Sequence, residues 1–350
     1  MVRIAVVGCG WWSTYAHIPA ILANKDAQLV ALVDADQRRL QTVQDQFGVS
    51  DGYTSTAEML HSVECDAVVI AVPNAFHYKL ADLVIRSGRH LLLEKPMVLH
   101  PADGRDLLAR ADQNGVHVVV GYELNYNRQA ETIRAELSLG RIGVIESVSC
   151  LFASIVRELF KGEPAAYRER FDYPVHGPSG DTYHDASLSG GGQGQVQITH
   201  AASLLFRMTG LQPKSVAAFT HNADLDVDLA DAVAIRFQGG AVGTLSSTGG
   251  VSPNQDEVLR YAIFGRAGHV IFDLLGGSAS IHDSNGVEVL PRLNEADREP
   301  ERAPVDNLVE LVLGRGTNSS PPDAGLLTVE FLAAMYRSAE TQTFVRLSEE

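Results

Sequence analysis

The sequence predicts an α/β fold for the first third of the chain and an α+β fold for the rest. Through the first 122 residues, short apolar segments rich in β-branched residues alternate with helical segments, as in a doubly wound parallel sheet. From residue 145 onward, strand-like segments follow one another across short turns, which is typical of a large, open, mainly antiparallel sheet. We therefore expect two domains, residues 1–122 and 123–350.

The first domain is expected to contain five parallel strands connected by helices. Gly88 follows the helix predicted at residues 77–87, at the position where a glycine commonly ends a helix. The strands are predicted at residues 1–7, 28–33, 67–72, 90–93 and 117–120, and the helices at 36–47, 77–87 and 102–114.

The second domain is expected to pack a sheet on a few helices. Residues 177–194 are rich in Gly, Ser and Asp and are predicted to form a functional loop. The strands are predicted at residues 145–152, 215–220, 232–237, 241–246, 259–264 and 269–272, and the helices at 128–139, 197–208, 305–313 and 326–338.

Composition excludes several classes of protein. The net charge of −15 argues against binding to nucleic acid or anionic membranes. Three widely spaced cysteines indicate a reducing compartment without a disulfide framework. No apolar segment approaches the roughly 20 residues of a membrane helix. Because the sequence opens directly into a predicted strand, we expect no signal peptide. A cytoplasmic location is expected.

The first strand runs into a Gly8-x-Gly10 turn, which is how a dinucleotide-binding βαβ unit begins. Gly8 allows the tight turn, and Gly10 lets a pyrophosphate approach the backbone. The following helix would direct its positive end at that phosphate. Ser13 stands where the third glycine of the fingerprint is usual, so the turn alone is a weak signal.

Asp34 ends the second predicted strand, where a carboxylate accepts hydrogen bonds from the adenosine ribose. It would repel the 2′-phosphate of NADP, so NAD is the expected cofactor. NADP stays possible because Arg38 and Arg39 could offset part of that repulsion. The alternative is that Asp34 caps the helix that begins near Ala35, and both roles can coexist.

The motifs taken together resemble the Gfo/Idh/MocA family of oxidoreductases, named for glucose–fructose oxidoreductase and inositol dehydrogenase. The resemblance covers nearly the whole chain in family order, and its remaining motifs are Pro73-Asn74 with His77, Gly88, Glu94-Lys95-Pro96, Gly121 with Arg128, Gly140-Arg141-Ile142-Gly143, and Gly190-Gly191-Gly192 before His200. It implies a Rossmann domain, a large-sheet substrate domain, a nicotinamide cofactor, a sugar, cyclitol or related polyol substrate, and a homodimer or homotetramer joined through that sheet.

Lys95 follows a strand end, where open α/β sheets bind their ligands. The resemblance implies that Lys95 contacts both the reacting hydroxyl and the nicotinamide ribose, beside Glu94. A partly desolvated lysine has a lowered pKa, which suits proton transfer near neutral pH. Pro96 stiffens the loop, and family members often have a cis bond there. The alternative is an ordinary surface lysine.

His200 lies near the start of an apolar helix, and the resemblance implies that it shares the substrate oxygen with Lys95. The alternative is a satisfied core histidine. The family usually carries an aspartate four residues earlier, where this chain has Val196. The missing carboxylate is replaced either by amides such as Gln193 and Gln197, which could hold sugar hydroxyls, or by another segment.

The loop before the three glycines offers candidates for that carboxylate in Asp181 and Asp185. Tyr183 could stack on a sugar face or donate its hydroxyl. With His176 and His184 the same loop permits a metal site, but no regular spacing unites these residues. We expect no metal.

The turn Pro73-Asn74 and His77 would lie along the nicotinamide half of the cofactor, as the resemblance implies. The alternative is a helix cap made by Asn74. Trp11 and Trp12 are unusual in a phosphate loop, and they either wall the nicotinamide side or pack between the domains.

The leading hypothesis is an NAD(P)-dependent dehydrogenase or reductase acting on a hydroxyl or ketone of a sugar, glycoside or cyclitol. A second hypothesis is an NAD-dependent glycosidase that works by transient oxidation and elimination. The third is a nicotinamide-binding regulator without turnover, which the absence of an aspartate at Val196 makes conceivable.

Overall fold

The computed structural model describes residues 1–167, 171, 173–178 and 180–347. Two sheets organise these residues. The first has six strands, β1 to β6, in the order β3-β2-β1-β4-β5-β6, and every pair in it is parallel. The strands are Val2–Val7 (β1), Ala27–Val33 (β2), Gly52–Tyr53 (β3), Ala67–Ile70 (β4), His90–Leu93 (β5) and Val118–Val120 (β6).

The second sheet has nine strands in the order β14-β13-β12-β11-β7-β10-β9-β8-β15. β7 and β10 are parallel and the other pairs are antiparallel. The strands are Ile145–Ala153 (β7), Pro213–His221 (β8), Ala230–Phe237 (β9), Val242–Thr248 (β10), Val258–Gly265 (β11), Gly268–Asp273 (β12), Ser278–Asp283 (β13), Gly286–Val289 (β14) and Val345–Arg346 (β15).

The first five α-helices connect the parallel strands, and the others follow the first sheet in the chain. π-Helical turns occupy Ser13–His17 and Gly194–Ile198. The α-helices are Ile18–Ala23 (α1), Gln37–Phe47 (α2), Thr56–Ser62 (α3), His77–Arg86 (α4), Pro101–Asn114 (α5), Arg128–Ser138 (α6), Arg157–Phe160 (α7), Gly180–Tyr183 (α8), Ala186–Ser189 (α9), Thr199–Thr209 (α10), Glu295–Arg298 (α11), Ala303–Val312 (α12) and Pro322–Thr341 (α13).

Helices cover both faces of the first sheet, which explains why its strands are mostly apolar. Alternate residues of each strand face α3, α4, α5 and α13 on one side and α1, α2 and α12 on the other. The second sheet is covered on one face only, by α6, α10 and α13. Its strands accordingly alternate buried and exposed residues.

The predicted fold class is confirmed. The predicted strands are present, whereas β3, β13, β14, β15, α3, α7 and α11 were not predicted. The segment predicted as one loop at 177–194 contains α8 and α9. The division at residues 122 and 123 stays a prediction. Within the described part of the chain, no helix is long and apolar enough to cross a membrane.

Candidate active site

A cavity of about 2100 Å³ lies between the carboxyl edge of the first sheet and the second sheet. One end is lined by the loops after β1, β2 and β4, which we call the cofactor end. The other end, which we call the chemical end, is lined by Glu94, Lys95, Glu123 and His200, together with residues that follow β7. This is the edge where open α/β sheets bind ligands.

Two glycines shape the cofactor end for different reasons. Gly8 has φ +95°, and a Cβ there would overlap the carbonyl oxygen of Ala71, so only glycine fits. Gly10 lines the cavity, and a Cβ at this position would meet no described atom within 4 Å. The protein itself therefore does not require glycine at position 10. A Cβ would instead fill the cradle where a pyrophosphate is expected.

The Asp34 carboxylate lies at the cavity wall and is almost fully buried. Its two oxygens accept hydrogen bonds from the backbone N–H groups of Cys9 and Asp36, both at 2.8 Å. Asp36, not Asp34, caps α2. Of the two arginines named from the sequence, Arg39 lines the cavity and Arg38 is not among the lining residues; Arg39 Nη1 lies 3.7 Å from Asp34 Oδ2.

Trp11 and Trp12 both line the cavity, and each indole N–H has a partner. Trp11 Nε1 donates to the Tyr183 hydroxyl and Trp12 Nε1 donates to Glu94 Oε1, both at 3.0 Å. His176 also lines the cavity, and its Nε2 is buried without a hydrogen-bond partner among the described residues. The sequence analysis considered His176 only as a candidate metal ligand.

The turn after β4 is placed as predicted, but His77 is not. Pro73 and Asn74 line the cavity, and the Asn74 amide donates to the Ser189 carbonyl at 2.7 Å instead of capping a helix. His77 is fully buried, with Nδ1 2.8 Å from the Pro96 carbonyl and Nε2 3.0 Å from that of Val72. It supports the loop that carries Lys95 and is not among the cavity-lining residues.

Glu94 is buried at the chemical end, where its carboxylate accepts three hydrogen bonds. Its Oε1 accepts from His17 Nε2 at 2.8 Å and from Trp12 Nε1, and its Oε2 accepts from the backbone N–H of Lys95. Burial raises the pKa of Glu94, but the hydrogen bond from His17 and the charge of Lys95 bring it below the ordinary value. A Cβ at Gly121 would overlap this carboxylate, which explains that glycine.

Lys95 reaches into the chemical end with its Nζ donating to the Val196 carbonyl at 3.2 Å. The Lys95–Pro96 peptide is cis. Burial lowers the pKa of the Lys95 ammonium, and the carboxylates of Glu94 and Glu123 oppose that shift. The structure therefore places a desolvated amine in the cavity wall, as general acid–base chemistry requires.

His200 lies at the start of α10, and its ring faces a carboxylate that the sequence analysis missed. The Nδ1 atom is 3.3 Å from Glu123 Oε1, and both side chains are buried. Burial and the nearby Lys95 lower the pKa of His200 well below its usual value. Glu123 follows β6, so the strand-end rule that selected Asp34 and Lys95 could have found it.

The region before His200 corrects one prediction. Gln193 does not line the cavity: its side-chain amide donates to the hydroxyls of Ser154 and Ser247, at 3.1 and 2.6 Å. Val196 packs in an apolar cluster with Val156 and Leu229. Gln197 lines the cavity as predicted, and Gln195 does so as well.

The three-glycine segment has a packing role. The Asp228 carboxylate accepts from the backbone N–H groups of Gly192 and Gly194 at 2.8 and 2.7 Å, and from the Tyr336 hydroxyl at 2.9 Å. A Cβ at Gly192 would overlap the Asp228 backbone. These glycines thus allow a close approach that fixes the chain leading to His200.

The loop at 180–185 places neither of its aspartates in the cavity wall. Asp185 caps α9 by accepting from the Ser187 N–H at 2.8 Å, and neither it nor Asp181 is among the cavity-lining residues. Tyr183 does line the cavity. In the described part of the chain, no three His, Cys, Asp or Glu side chains come together in a way that could hold a metal ion.

The residues present fit a nicotinamide dinucleotide along the cavity. The Gly10 cradle and Asp34 suit the phosphate and ribose groups, and the chemical end offers a desolvated amine and an imidazole for the reacting oxygen.

Comparison with known families supports this assignment. The family model described as "Oxidoreductase family, NAD-binding Rossmann fold" matches residues 2–122, and the one described as "GFO/IDH/MocA C-terminal domain" matches residues 131–271. Among curated proteins, the chain is 23% identical to D-glucoside 3-dehydrogenase of Escherichia coli strain K12, over 99% of this chain and 97% of that protein. It is 32% identical to D-apiose dehydrogenase of Paraburkholderia graminis, over 49% of this chain and 46% of that one.

Two of the solved structures that resemble the whole chain were crystallised with a nicotinamide cofactor. GenD2 from gentamicin A biosynthesis, crystallised with NAD, superposes with a TM-score of 0.81 at 27% identity, covering 99% of this chain and 96% of GenD2. The WlbA dehydrogenase of Bordetella pertussis, in complex with NADH and UDP-GlcNAcA, gives a TM-score of 0.78 at 25% identity, covering 100% and 99%.

Proposed function

This chain belongs to the GFO/IDH/MocA family of NAD-binding oxidoreductases, and we propose that it oxidises a secondary hydroxyl of a neutral sugar, glycoside or cyclitol, or reduces the matching ketone. The observation that carries the proposal is the meeting of Lys95 and His200 at one end of a cavity whose other end holds Gly10 and Asp34.

In this proposal Lys95 and His200 hold the substrate oxygen between them. NAD, when bound, accepts the hydride from the carbinol carbon. The Lys95 ammonium stabilises the negative charge that develops on the oxygen, and one of the two side chains takes the hydroxyl proton. Glu94 keeps the lysine in place through its backbone N–H. Gln197 and Tyr183 face the rest of the substrate.

The charge around the chemical end favours a neutral substrate. Glu94, Glu257 and Glu299 line the cavity there, and Lys95 and Arg302 are cations among the described lining residues. An anionic substrate would be repelled by this lining. The ring of Tyr183 offers an apolar face for a sugar, since its hydroxyl already accepts from Trp11.

The two other hypotheses from the sequence gain no support. The curated relatives quoted above are named as dehydrogenases, which does not favour the glycosidase. Glu94 makes buried hydrogen bonds with His17 and with the backbone N–H of Lys95, and these contacts hold Lys95 in a position suited to catalysis. This arrangement disfavours a regulator without turnover.

The proposal is tested by incubating the protein with NAD and a panel of neutral sugars, glycosides and cyclitols while the NADH absorbance band is followed. We expect NADH to accumulate stoichiometrically with a keto product. A glycosidase would release sugar without net NADH, and a regulator would bind NAD without either product. Lys161→Met, at an exposed helix end, is a control that should turn over normally.

We also propose that two copies of this chain associate through the uncovered face of the nine-stranded sheet. Leu151, Val242, Phe264 and Ile271 are exposed on that face, each alternating with residues buried on the other. Light scattering should give a dimer or a tetramer, and Phe264→Glu with Ile271→Lys should give a monomer. A monomeric parent protein at micromolar concentration would contradict this. A cytoplasmic location stays a prediction.

A further inference from the structure

The inference concerns Glu123, whose position is fixed by a row of contacts between two segments. The turn after β6 lies along the first two turns of α10. The Tyr122 hydroxyl is 2.8 Å from the Thr199 hydroxyl, and the Asn125 amide donates to the Ser203 hydroxyl at 3.2 Å. These contacts flank the Glu123–His200 pair. The carboxylate therefore faces the imidazole because of how the two segments dock.

Both partners carry polar atoms that the protein leaves unused. His200 Nδ1 and Glu123 Oε2 are buried without a hydrogen-bond partner among the described residues. His200 Nδ1 and Glu123 Oε1 are 3.3 Å apart, and a small rotation of either side chain would bring them into a hydrogen bond. Leaving the buried Nδ1 unpaired would be costly, so a hydrogen bond to the Glu123 carboxylate is its expected use.

We propose that Glu123 is the carboxylate that orients His200, in place of the usual aspartate, whose position Val196 occupies in this chain. Glu123 accepts the Nδ1–H, so that the lone pair of Nε2 points into the cavity. His200 lines that cavity. Glu123 is thus a positioning residue, and His200 Nε2 is the atom that removes the hydroxyl proton. This inference rests on the proposed function, and it assigns the role of base to His200 and not to Lys95.

The chemistry balances in the direction of oxidation. One C–H and one O–H bond of the substrate break, and a C=O bond forms. The hydride reduces the NAD of the proposed function, and the proton goes to His200 Nε2. The imidazolium that results is stabilised by the Glu123 carboxylate. Lys95 keeps its proton throughout and holds the oxygen.

The charged groups around Glu123 predict a pH dependence. Burial, followed by the charges of Glu94 and Glu299, raises the pKa of Glu123 to about 8, and the Lys95 ammonium opposes the rise. The carboxylate form, which orients His200, therefore increases as the pH rises through that value. The burial of His200 keeps its ring neutral over the same range.

The first test reads the tautomer of His200 and needs neither substrate nor cofactor. Two-bond ¹H–¹⁵N spectra of imidazole-labelled protein, assigned with His200→Gln, distinguish Nδ1–H from Nε2–H. We expect the Nδ1–H tautomer in the parent protein at alkaline pH. In Glu123→Gln the amide can donate to Nδ1, so Nε2–H should become at least as populated. A parent protein with Nε2–H overturns the proposal without any variant.

The matched control is Glu330→Gln, which removes a partly buried carboxylate from an ion pair with Arg105 outside the cavity. It should leave the His200 tautomer unchanged. Glu123→Asp keeps a carboxylate and should retain the Nδ1–H tautomer more than Glu123→Gln does. An unchanged tautomer in Glu123→Gln would overturn the proposal.

The second test uses turnover. Loss of the orienting aspartate of a Ser-His-Asp triad costs roughly 10⁴-fold in kcat. Glu123→Gln should lower kcat by about 10²-fold or more, with little change in KM or in NAD affinity. The rise of kcat through pH 8 should disappear. Parental kcat in Glu123→Gln contradicts the inference alone, whereas failure of the parent protein to bind NAD or form NADH contradicts the proposed function.

Discussion

The two ends of the cavity are built in different ways. The cofactor end is made from consecutive residues directly after parallel strands, such as Gly8 to Trp12, and it depends on backbone shape and on small residues. The chemical end joins Glu94, Glu123 and His200 from segments more than 25 residues apart, and it depends on buried charges that compensate one another.

This difference predicts how each end fails when it is changed. A substitution at the cofactor end alters space or ribose contacts, so it should act on binding of NAD. A substitution at the chemical end leaves a buried group without its partner, so it should act on the chemical step. The predictions below test this separation.

Lys95→Met should produce the largest effect. The change keeps most of the side-chain volume and removes the charge that holds the developing oxyanion. Loss of one donor to a developing oxyanion costs about 10²–10³-fold, so kcat should fall within this range while NAD binding is retained. Steady-state kinetics with an NAD titration measures both. Turnover near that of the parent protein would remove Lys95 from the mechanism.

His200→Ala should cost about 10²-fold or more in kcat, because no neighbouring aspartate remains at Val196 to replace it. Asp181→Ala and Asp185→Ala should be mild, since neither residue lines the cavity. The kcat of the three variants decides between the sites. If either aspartate variant abolished turnover while His200→Ala were mild, the proton path would run through residues 180–185.

Gly8→Ala and Gly10→Ala form a matched pair at the cofactor end. Gly8→Ala introduces strain at a positive φ and an overlap with Ala71, so it should destabilise the protein by about 1–3 kcal/mol and lower Tm. Gly10→Ala should leave Tm unchanged but weaken NAD binding by about tenfold or more, equivalent to about 1.4 kcal/mol. Thermal melts and NAD titrations measure both. Unchanged NAD affinity in Gly10→Ala would place the pyrophosphate elsewhere.

Asp34→Ser should have the smallest effect and the clearest direction. The parent protein should prefer NAD because the carboxylate repels a 2′-phosphate. The variant should shift toward NADP by about tenfold, helped by Arg39 at 3.7 Å from the same carboxylate. The ratio of kcat/KM for the two cofactors measures this. Equal use of both by the parent protein, with no shift in the variant, would remove Asp34 from cofactor selection.

The two ends also differ in how far the sequence alone predicts them. Gly8, Gly10 and Asp34 were found because their spacing is local and their roles follow from strand ends. Glu123 was missed, although it also follows a strand, because its partner His200 is 77 positions away. Gln193 and His77 were misplaced because sequence does not show whether a polar side chain faces a cavity or serves buried hydroxyls and carbonyls.

The most direct test of the account is hydride transfer from one end of the cavity to the other. A substrate found in the NADH screen is prepared with deuterium at the carbon to be oxidised, and the nicotinamide formed is analysed by mass spectrometry. The account predicts one deuterium in each NADH recovered, together with a keto product at the labelled carbon. NADH without the label, or a product cleaved at a glycosidic bond with no keto group, would contradict it.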